Sequence, residues 1–317
     1  MAVPPVAYRV EVVAAVISRP SGEILLARRP PGKVYEGYWE FPGGKVEGAE
    51  HPYRALRREL REELGLEVDV AWPWITREYH YAHANVRLNF FRVPEWHPEP
   101  TSREGQALSW QRIEKITVAP LLPANEPILR ALALPPILAI TDAHSRGTSQ
   151  LLERLDASLR NGLKMVMVRE KEMAIAQLRD LILAVRKMCR RYDCLVVVNA
   201  DADLATRTHS DGVHLTSTQL MHCSHRPALP LVGASCHSPA ELDRAAQLGC
   251  DYAVLGPILP TPSHQNMPHL GWQRFARLVR RYTVPVYGLG GMTRADLNHA
   301  HLHGAHGLAM IRGAWEE

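Results

Sequence analysis

Three glutamates stand at positions that a helix would bring together. Glu62 and Glu63 follow Glu59 by three and four residues, and such positions share one face of an α-helix. Three carboxylates on one face repel each other unless a cation neutralises them, and hard oxygen ligands favour Mg²⁺ or Mn²⁺. The spacing therefore predicts a divalent-cation site. The alternative is a solvated helix with ordinary glutamate and arginine pairs.

Residues around these glutamates suit supporting roles. Arg58 lies eight positions after Glu50 and four before Glu62, so we expect its guanidinium to pair with these acids and orient them. Gly43 and Gly44 precede the helix and lack a Cβ, which allows their backbone to approach a metal ion closely. We therefore place Gly43 in the metal site, with Glu50 and Arg58 behind it.

The order of residue types from Gly44 to Leu66 is G-x5-E-x7-R-E-U-x-E-E-x-G-U, where U is a bulky apolar residue. This order resembles the Nudix box. Nudix proteins hydrolyse a nucleoside diphosphate linked to another group, with Mg²⁺ held by the box carboxylates. The resemblance implies that Glu59, Glu62 and Glu63 are metal ligands and that one of the acids is the general base, without deciding which.

Outside the box, three segments resemble the MutT-type 8-oxo-dGTP diphosphatases: residues 39–45, 104–106 and 123–127. Within them, Glu104 would complete the metal site or serve as the base. Asn125 would read a purine edge, because an amide offers both a donor and an acceptor. Taken singly, Asn125 is equally suited to cap a helix and Glu104 to be a plain loop acid.

Further residues complete the expected substrate site. Phe41 would form a wall of the base pocket, and Arg29 and Lys45 would hold phosphate oxygens. One position departs from the MutT pattern, because Ala84, between His83 and Asn85, stands where that pattern has an arginine. This departure leaves the discrimination of an oxidised base open.

The elements that must position these residues follow from the hydrophobic pattern. Strand-like runs at 10–17, 24–27 and 86–93 and helical runs at 51–64 and 126–132 predict an α+β domain, a Nudix fold with a mixed sheet between helices. Pro135 and Pro136 then stop the last helical pattern. We expect a first domain at residues 1–133 and a second at 137–317.

The second domain alternates short β-rich runs with helical segments. Eight runs are found, at residues 137–141, 165–169, 195–199, 212–215, 231–235, 252–256, 284–289 and 307–311. They predict a compact (β/α)₈ TIM barrel. A doubly wound sheet is the competing architecture, but eight strands with glycine-rich turns after the last two favour closure.

From residue 137 onward the chain resembles thiamine phosphate synthase and its relative, the TenI-type thiazole tautomerase. The resemblance rests on residues 140–142, 168–171, 211–215, 235–238, 256–261 and 290–292. Several of these lie at predicted strand ends, the face that carries chemistry in barrels. The implied ligand site for a thiamine-related phosphate comprises Arg169, Lys171, Asn199, His237, Thr261, Gly290 and Gly291.

The aspartates with which a synthase would hold Mg²⁺ are replaced. The family's Asn-Asp-Arg motif is here residues 199–201, with Ala200 at its centre, and its lysine is His264. Residues 216–219 replace a Gly-Gln-x-Asp stretch and Met167 replaces a glutamine, which leaves Asp201 or Asp203 as substitute ligands. We expect a catalytically degenerate, ligand-binding barrel. A tautomerase that uses His237 as acid and base, or a true synthase, are the alternatives.

Composition bounds the remaining function classes. The 317 residues are 46% hydrophobic and 22% charged, as in folded globular proteins. A net charge of +4 without a clustered basic patch argues against a nucleic-acid polymer or a membrane as partner. The five cysteines form no CxxC pair and are expected as reduced thiols. Because no signal-peptide pattern is found, we expect a cytoplasmic protein. The oligomeric state stays open.

Together, these patterns predict a Nudix pyrophosphohydrolase that uses Mg²⁺, or Mn²⁺, on a nucleoside triphosphate. The expected reaction converts 8-oxo-dGTP into 8-oxo-dGMP and pyrophosphate, with the barrel as an accessory module. The alternative is a thiamine-pathway protein whose Nudix domain hydrolyses a thiamine-related diphosphate and whose barrel has tautomerase or synthase activity. A non-enzymatic sensor would require an inactive box, and every box residue is present.

Overall fold

The computed structural model describes residues 9–81, 84–261 and 269–315 of this chain. The chain divides into two compact units, residues 1–134 and 135–317. Each unit is described by itself. His83 and His264, which enter the sequence interpretation, lie outside the described residues.

In the part of the first unit that the structure describes, there are two three-stranded sheets and two helices. Its elements are β1 (Arg9–Ile17), β2 (Glu23–Arg28), β3 (Trp39–Glu40), α1 (Pro52–Leu64), β4 (Glu67–Tyr81), β5 (Ala84–His97), β6 (Leu108–Arg112) and α2 (Glu126–Leu132). One sheet has the order β1-β5-β4 and the other β3-β2-β6. The β1 and β5 strands are parallel, whereas β4 and β5 are antiparallel, so the first sheet is mixed.

Strand β1 contributes to two core clusters of this unit, because alternate side chains of a strand face opposite sides. Its Val13, Ala15 and Ile17 are buried in one cluster with the apolar stripe of α1. Ala14 and Val16 are buried in a second cluster that includes Ile128 and Ala131 of α2. The prediction of a mixed sheet between helices is therefore confirmed.

Three strands of this unit, β3, β4 and β6, were not predicted from the sequence. Strand β4 is 15 residues long, but its pairing with β5 shifts register near Val70 and Trp72 and again after Pro73. Each shift interrupts the alternation of apolar and polar residues by which a strand is recognised. Strand β3 has two residues, too few to show any period.

The second unit is a closed barrel of eight parallel strands. The strands are β7 (Ile137–Ile140), β8 (Met165–Val168), β9 (Leu195–Asn199), β10 (Gly212–Leu215), β11 (Leu231–Cys236), β12 (Tyr252–Leu255), β13 (Val286–Leu289) and β14 (Gly307–Met310). Strand β14 pairs with β7 and closes the ring. The predicted (β/α)₈ barrel is confirmed, and the doubly wound alternative is wrong.

Short helices connect the barrel strands. They are α3 (Ala143–Arg146), α4 (Thr148–Arg160), α5 (Ile175–Cys189), α6 (Ala202–Arg207), α7 (Ser217–His222), α8 (Pro239–Leu248), α9 (Trp272–Val279) and α10 (Leu297–Leu302). Among the described residues, 3₁₀ turns are formed by Arg190–Tyr192 and Arg294–Asp296. Within the described part of the chain, no helix has the length and apolarity needed to cross a membrane. All five cysteines are free thiols.

Candidate active site

Helix α1 is fixed at both ends, which sets the direction of its acidic face. At its start, the ring of His51 accepts a hydrogen bond from the amide of Tyr53 (3.2 Å). At its end, Gly65 adopts a left-handed conformation (φ 66°), and its amide donates to the carbonyl of Arg61 (3.0 Å). These caps satisfy backbone groups that a helix end leaves unpaired. The core side of α1 is anchored by buried Leu56, Leu60 and Leu64.

Arg58 connects the carboxylates that flank it. Its guanidinium donates to Glu50 (2.7 Å), Glu59 (2.9 Å) and Glu62 (3.2 Å). The same group also donates to the carbonyl of Lys45 (3.0 Å), in the segment that leads into the helix. The hydrogen bond from Arg58 holds the pKa of the Glu50 carboxyl below its usual value. Arg58 and Glu50 thus lie behind the box carboxylates, where an orienting pair belongs.

Two glycines bring the preceding segment close to this helix. A Cβ built on Gly44 would lie 2.3 Å from the carboxyl carbon of Glu59, and one on Gly43 would lie 2.1 Å from the carbonyl oxygen of Val13. The amides of β1 bind the carbonyls on either side of Gly43, those of Pro42 (2.8 Å) and Gly44 (2.9 Å). Because alternate carbonyls of an extended segment face opposite sides, we expect the Gly43 carbonyl to face away from β1.

The loop at residues 101–106 holds Glu104 beside the end of α1. The amide of Arg103 and the side chain of Gln106 both donate to the carbonyl of Glu63 (3.0 and 3.1 Å). The ammonium of Lys33 then lies 3.0 Å from a carboxylate oxygen of Glu104 and 4.0 Å from one of Glu63. A cavity of about 20 Å³ is lined by these groups and by Glu40.

Glu59, Glu62, Glu63 and Glu104 form what we call the acidic corner. Its electrostatics favour the binding of a further cation. Burial raises the pKa of the Glu63 carboxyl to about 7, with Lys33 opposing the shift and the charges of Glu104 and Glu59 adding to it. Burial also raises the pKa of Glu59, against the hydrogen bond from Arg58. Burial removes the water that would stabilise the negative charge of these carboxylates, and the nearby Lys33 and Arg58 do not fully compensate for this loss.

Two features fit the acidic corner to a divalent cation: its ligands are carboxylate oxygens, and Gly44, without a Cβ, leaves space for the carboxylate of Glu59. Among residues 9–81, 84–261 and 269–315, no three Asp, Glu, His or Cys side chains already surround one point as ligands. Glu62 is the most open of the box acids, with 56% of its side chain exposed. The residues fit the ion, although Arg58 and Lys33 occupy oxygens that it would take.

A cavity of about 340 Å³ adjoins the acidic corner. It is lined by Arg29, Phe41, Lys45 and Asn125, the four predicted substrate residues, and by Gly43. Its other walls include Glu40, Tyr35, Tyr81 and Ala84. The structure thus brings the predicted substrate residues to one pocket next to the box.

Asn125 is the most informative residue of this pocket. It is 4% exposed and directly precedes α2. Its side chain nevertheless makes no capping hydrogen bond, and its amide nitrogen has no partner among the described residues. The helix-cap interpretation is therefore wrong. A buried donor without a partner costs about 1–3 kcal/mol, which a ligand that supplies an acceptor would offset.

In the second unit, the predicted ligand residues lie at the carboxyl ends of the strands. Arg169 and Lys171 follow β8 and line a cavity of about 810 Å³ with Asp142 and Arg312. Asn199, His237 and Thr261 lie on the same rim but do not line that cavity. The structure therefore brings two of these residues together and leaves three apart.

Gly290 and Gly291 form a close turn after β13. They have φ values of 114° and 69°, conformations that favour glycine. A Cβ on Gly291 would lie 2.5 Å from the carbonyl oxygen of Pro260. Gly313, after β14, makes a similar approach, since its Cβ would lie 2.4 Å from the carbonyl oxygen of Met292. The last two loops of the barrel thus pack backbone against backbone, as a phosphate cradle requires.

Asp201, one of the expected substitute ligands, and Gln219, in the stretch that replaces Gly-Gln-x-Asp, both take part in helix caps. Asp201 accepts a hydrogen bond from the amide of Leu204 (2.8 Å) at the start of α6. Gln219 forms a capping box with Thr216 at the start of α7, and its side chain also donates to the carbonyl of Ala200 (2.7 Å). Asp201 is therefore committed to local structure.

Two histidines of the barrel differ in surroundings. His237 is exposed, and its Nδ1 lies 2.8 Å from the carbonyl oxygen of Gly256. Because a carbonyl only accepts, Nδ1 carries the proton and Nε2 is left as a base. His214, which the sequence interpretation did not select, is buried between Ser235 (2.9 Å) and Tyr252 (3.2 Å). Burial lowers its pKa to about 3, so it stays neutral.

Both units match known families. Residues 13–131 match the model described as NUDIX domain, and residues 137–314 match the model described as Thiamine monophosphate synthase. The chain is 43% identical over 122 residues to the CTP pyrophosphohydrolase of Escherichia coli (strain K12), which covers 38% of this chain and 90% of that protein. The chain belongs to both families.

Two further relatives illustrate the Nudix domain and the synthase-family domain separately. The thiamine-phosphate synthase of Caldivirga maquilingensis is 29% identical over 179 residues, which span 56% of this chain and 87% of that protein. A solved structure from a study of MutT from Aliivibrio salmonicida and Vibrio cholerae has 32% sequence identity to this chain. That match covers 39% of this chain and 97% of the MutT chain, with a TM-score of 0.35.

Arg29 is engaged differently from the expectation. It was predicted to hold phosphate, but in the Nudix domain its guanidinium donates to both carboxylate oxygens of Glu40 (2.6 and 2.7 Å) and to the carbonyl of Val34 (2.7 Å). Glu40 is largely buried, and burial raises its pKa against the charge of Arg29. Phosphate binding by Arg29 would therefore compete with this pair.

Lys33 and Glu40 are charged residues of the candidate Nudix site that sequence reasoning did not select. Glu40 lies within the MutT-like segment at residues 39–45, so a signal was present. Lys33 lies in the loop at residues 30–37, which carries no periodic pattern. Its position beside Glu104 depends on contacts across 71 residues of sequence, which spacing does not reveal.

Proposed function

We propose that the Nudix domain hydrolyses nucleoside triphosphates with Mg²⁺ and releases a nucleoside monophosphate and pyrophosphate, with 8-oxo-dGTP as the preferred substrate. The observation that carries the choice of substrate is the buried amide of Asn125 without a partner in a cavity of about 340 Å³. An amide that offers a donor and an acceptor matches a purine edge. Phe41, in the same cavity, offers an aromatic surface to the base.

The acidic corner supports the phosphoanhydride chemistry. Glu59, Glu62, Glu63 and Glu104, with the Gly43 carbonyl, would hold Mg²⁺, which screens phosphate charge and positions the attacking water. The chain's own contribution is orientation. Arg58 holds Glu59 and Glu62 in place, and the exposed ammonium of Lys45 at the pocket is placed to bind phosphate oxygens.

A second candidate substrate is CTP, because the Nudix domain is 43% identical to a CTP pyrophosphohydrolase. A cytosine also presents an amino donor and ring acceptors, to which the Asn125 amide can bind. Ala84, which replaces the arginine of the MutT pattern, leaves this pocket wall uncharged. The two candidates differ in base size and are separated by kinetics.

The deciding experiment compares kcat/KM for 8-oxo-dGTP, dGTP, CTP, thiamine diphosphate and hydroxymethylpyrimidine diphosphate in Mg²⁺, with Glu62→Gln as the blank. We expect 8-oxo-dGTP to be preferred over dGTP and CTP. Glu62→Gln is expected to lower turnover by roughly 10³-fold or more with the fold retained. Near-normal turnover of that variant contradicts the metal site. Preference for a thiamine-related diphosphate would instead favour the thiamine-pathway alternative.

For the synthase-family domain, we propose a binding site for a thiamine-related phosphate without synthase activity. The support is the Gly290–Gly291 turn together with the replacement of one expected metal ligand by Ala200 and the use of Asp201 as a helix cap. A tautomerase that uses Nε2 of His237 is the catalytic alternative. Calorimetry that measures the binding of thiazole phosphate to the full chain tests the proposal. The absence of binding contradicts it.

A further inference from the structure

The loop at residues 30–37 connects the two halves of the Nudix site. Its Lys33 extends to the acidic corner, where the ammonium lies 3.0 Å from Glu104 and 4.0 Å from Glu63. The next two residues, Val34 and Tyr35, line the nucleotide cavity. One short segment therefore contacts both the proposed metal ligands and the proposed base pocket.

Lys33 and a divalent cation would use the same carboxylates. The Lys33 ammonium approaches two of the proposed metal ligands, Glu104 and Glu63, and the cavity that these three side chains line is small, about 20 Å³. A lysine ammonium is a compact point charge that satisfies carboxylates much as a small cation does. Because an oxygen bound to the ammonium is not free for a metal ion, and two cations repel each other at this range, the ammonium and a metal ion compete for Glu63 and Glu104.

The ammonium is free to leave the corner. About half of the Lys33 side chain is exposed (47%), as is that of Glu104 (43%), so their ion pair is worth little in water. The lysine stem has four rotatable bonds, and its rotation needs no movement of the loop backbone. The displaced ammonium would remain next to the pocket that Val34 and Tyr35 line, on the side where the phosphates of a bound nucleotide meet the acidic corner.

We propose that Lys33 is a built-in competitor of the metal ion: it neutralises Glu63 and Glu104 in the metal-free protein, is displaced by the divalent cation, and then binds the phosphates of the substrate. This inference rests on the proposed function. Lys33 then has two opposite effects, since the same ammonium weakens the binding of the metal ion and strengthens the binding of the substrate.

The test measures the two roles separately in the full-length chain. Mg²⁺ affinity without nucleotide is measured by calorimetry for the wild type, Lys33→Met and the control Lys115→Met, an exposed lysine in the turn after β6. We expect Lys33→Met to bind Mg²⁺ about fivefold more tightly, as the loss of a half-exposed ion pair allows. We also expect its KM for the nucleotide to rise several-fold at similar kcat. Lys115→Met is expected to match the wild type in both.

Each outcome decides the inference. Unchanged or weaker Mg²⁺ binding by Lys33→Met overturns the competition, whatever the turnover, and an unchanged KM overturns the phosphate contact. If Lys33→Met does not fold, Lys33→Gln removes the charge with a polar side chain and gives the same readouts. A wild type that binds no Mg²⁺ and has no Mg²⁺-dependent turnover refutes the proposed function as well. An active wild type with no effect of the substitution refutes the inference alone.

Discussion

The amide of Asn125 carries the first prediction at the scale of single residues. Because its nitrogen is buried without a partner, we expect Asn125→Ala to leave the protein as stable as the wild type or slightly more stable. The ratio of kcat/KM for 8-oxo-dGTP over dGTP is expected to fall by about tenfold, the value of one lost hydrogen bond to a base. Asn125→Asp, which keeps the shape but loses the donor, is the matched variant. An unchanged ratio in both contradicts base reading by Asn125.

Glu63 carries a prediction about pH. In the metal-free protein its pKa is raised from 4.5 to about 7, so the folded state keeps a proton that the unfolded chain releases between these values. The free energy of unfolding therefore declines as pH rises from 4.5 to 7. Mg²⁺ must displace this proton, and we expect its affinity to rise about tenfold between pH 6 and 8.

Calorimetry in buffers of different ionisation enthalpy measures both the Mg²⁺ affinity and the protons released. Glu63→Gln is the control, because it has no carboxyl to titrate. We expect weak Mg²⁺ binding with a flat pH profile in this variant, and a metal-free unfolding temperature above that of the wild type at pH 8. A wild-type affinity that does not change between pH 6 and 8 would be evidence against this role of Glu63.

At the scale of elements, the segment before α1 must approach that helix closely. A Cβ on Gly44 would lie 2.3 Å from the carboxyl carbon of Glu59, and the flexible carboxylate is the group that must move. We therefore expect Gly44→Ala to lower kcat at least tenfold, since displacement of a ligand by about 1 Å is costly, with little change in unfolding temperature. Gly48→Ala is the control for activity, because no described atom lies within 4 Å of its Cβ; its φ of 55° makes the substitution strained, so its unfolding temperature is expected to fall without loss of turnover. Equal activity of the two variants would contradict the close approach.

The elements also show which features a sequence pattern can predict. Helix α1 was predicted closely because its apolar stripe, its fixed box spacing and its capping Gly65 all act within 14 residues. Strand β4 was missed because its bulges break the two-residue period. The eight barrel strands were all found, since each is a short run buried on both faces and separated by a helix.

The site was predictable to the same extent. Residues within a motif, such as Glu59 and Asn125, were selected from the sequence, and the structure places Glu59 on α1 and Asn125 at the cavity of about 340 Å³. Their roles stay predictions. The ion pairs Lys33–Glu104 and Arg29–Glu40 were not predicted, because they depend on how a loop without a periodic pattern folds over the sheet. Long-range electrostatic pairs leave no spacing signal in one sequence.

At the scale of the whole molecule, the chain joins two compact units from families with different chemistry. Every residue of the Nudix box is present, whereas Ala200 and Gln219 stand where the resemblance to the synthases leads us to expect aspartates in the barrel. Linking two sites raises the local concentration of a shared ligand, so a fusion is most useful where both units bind related phosphates. The substrate panel proposed above tests whether these two units share a ligand.

The last prediction concerns the barrel of the intact chain. We expect no thiamine phosphate from hydroxymethylpyrimidine diphosphate, thiazole phosphate and Mg²⁺, because Ala200 supplies no ligand and Asp201 is committed to capping α6. Asp201→Ala should instead lower the free energy of unfolding of the barrel by about 1 kcal/mol, the usual cost of a lost cap, and leave Nudix turnover unchanged. Asp203→Ala, an exposed acid in the same helical turn, is expected to cost less. Chromatography of the products and urea unfolding provide the two measurements. Synthesis of thiamine phosphate that Asp201→Ala abolishes would show that the carboxylate serves as a ligand after all.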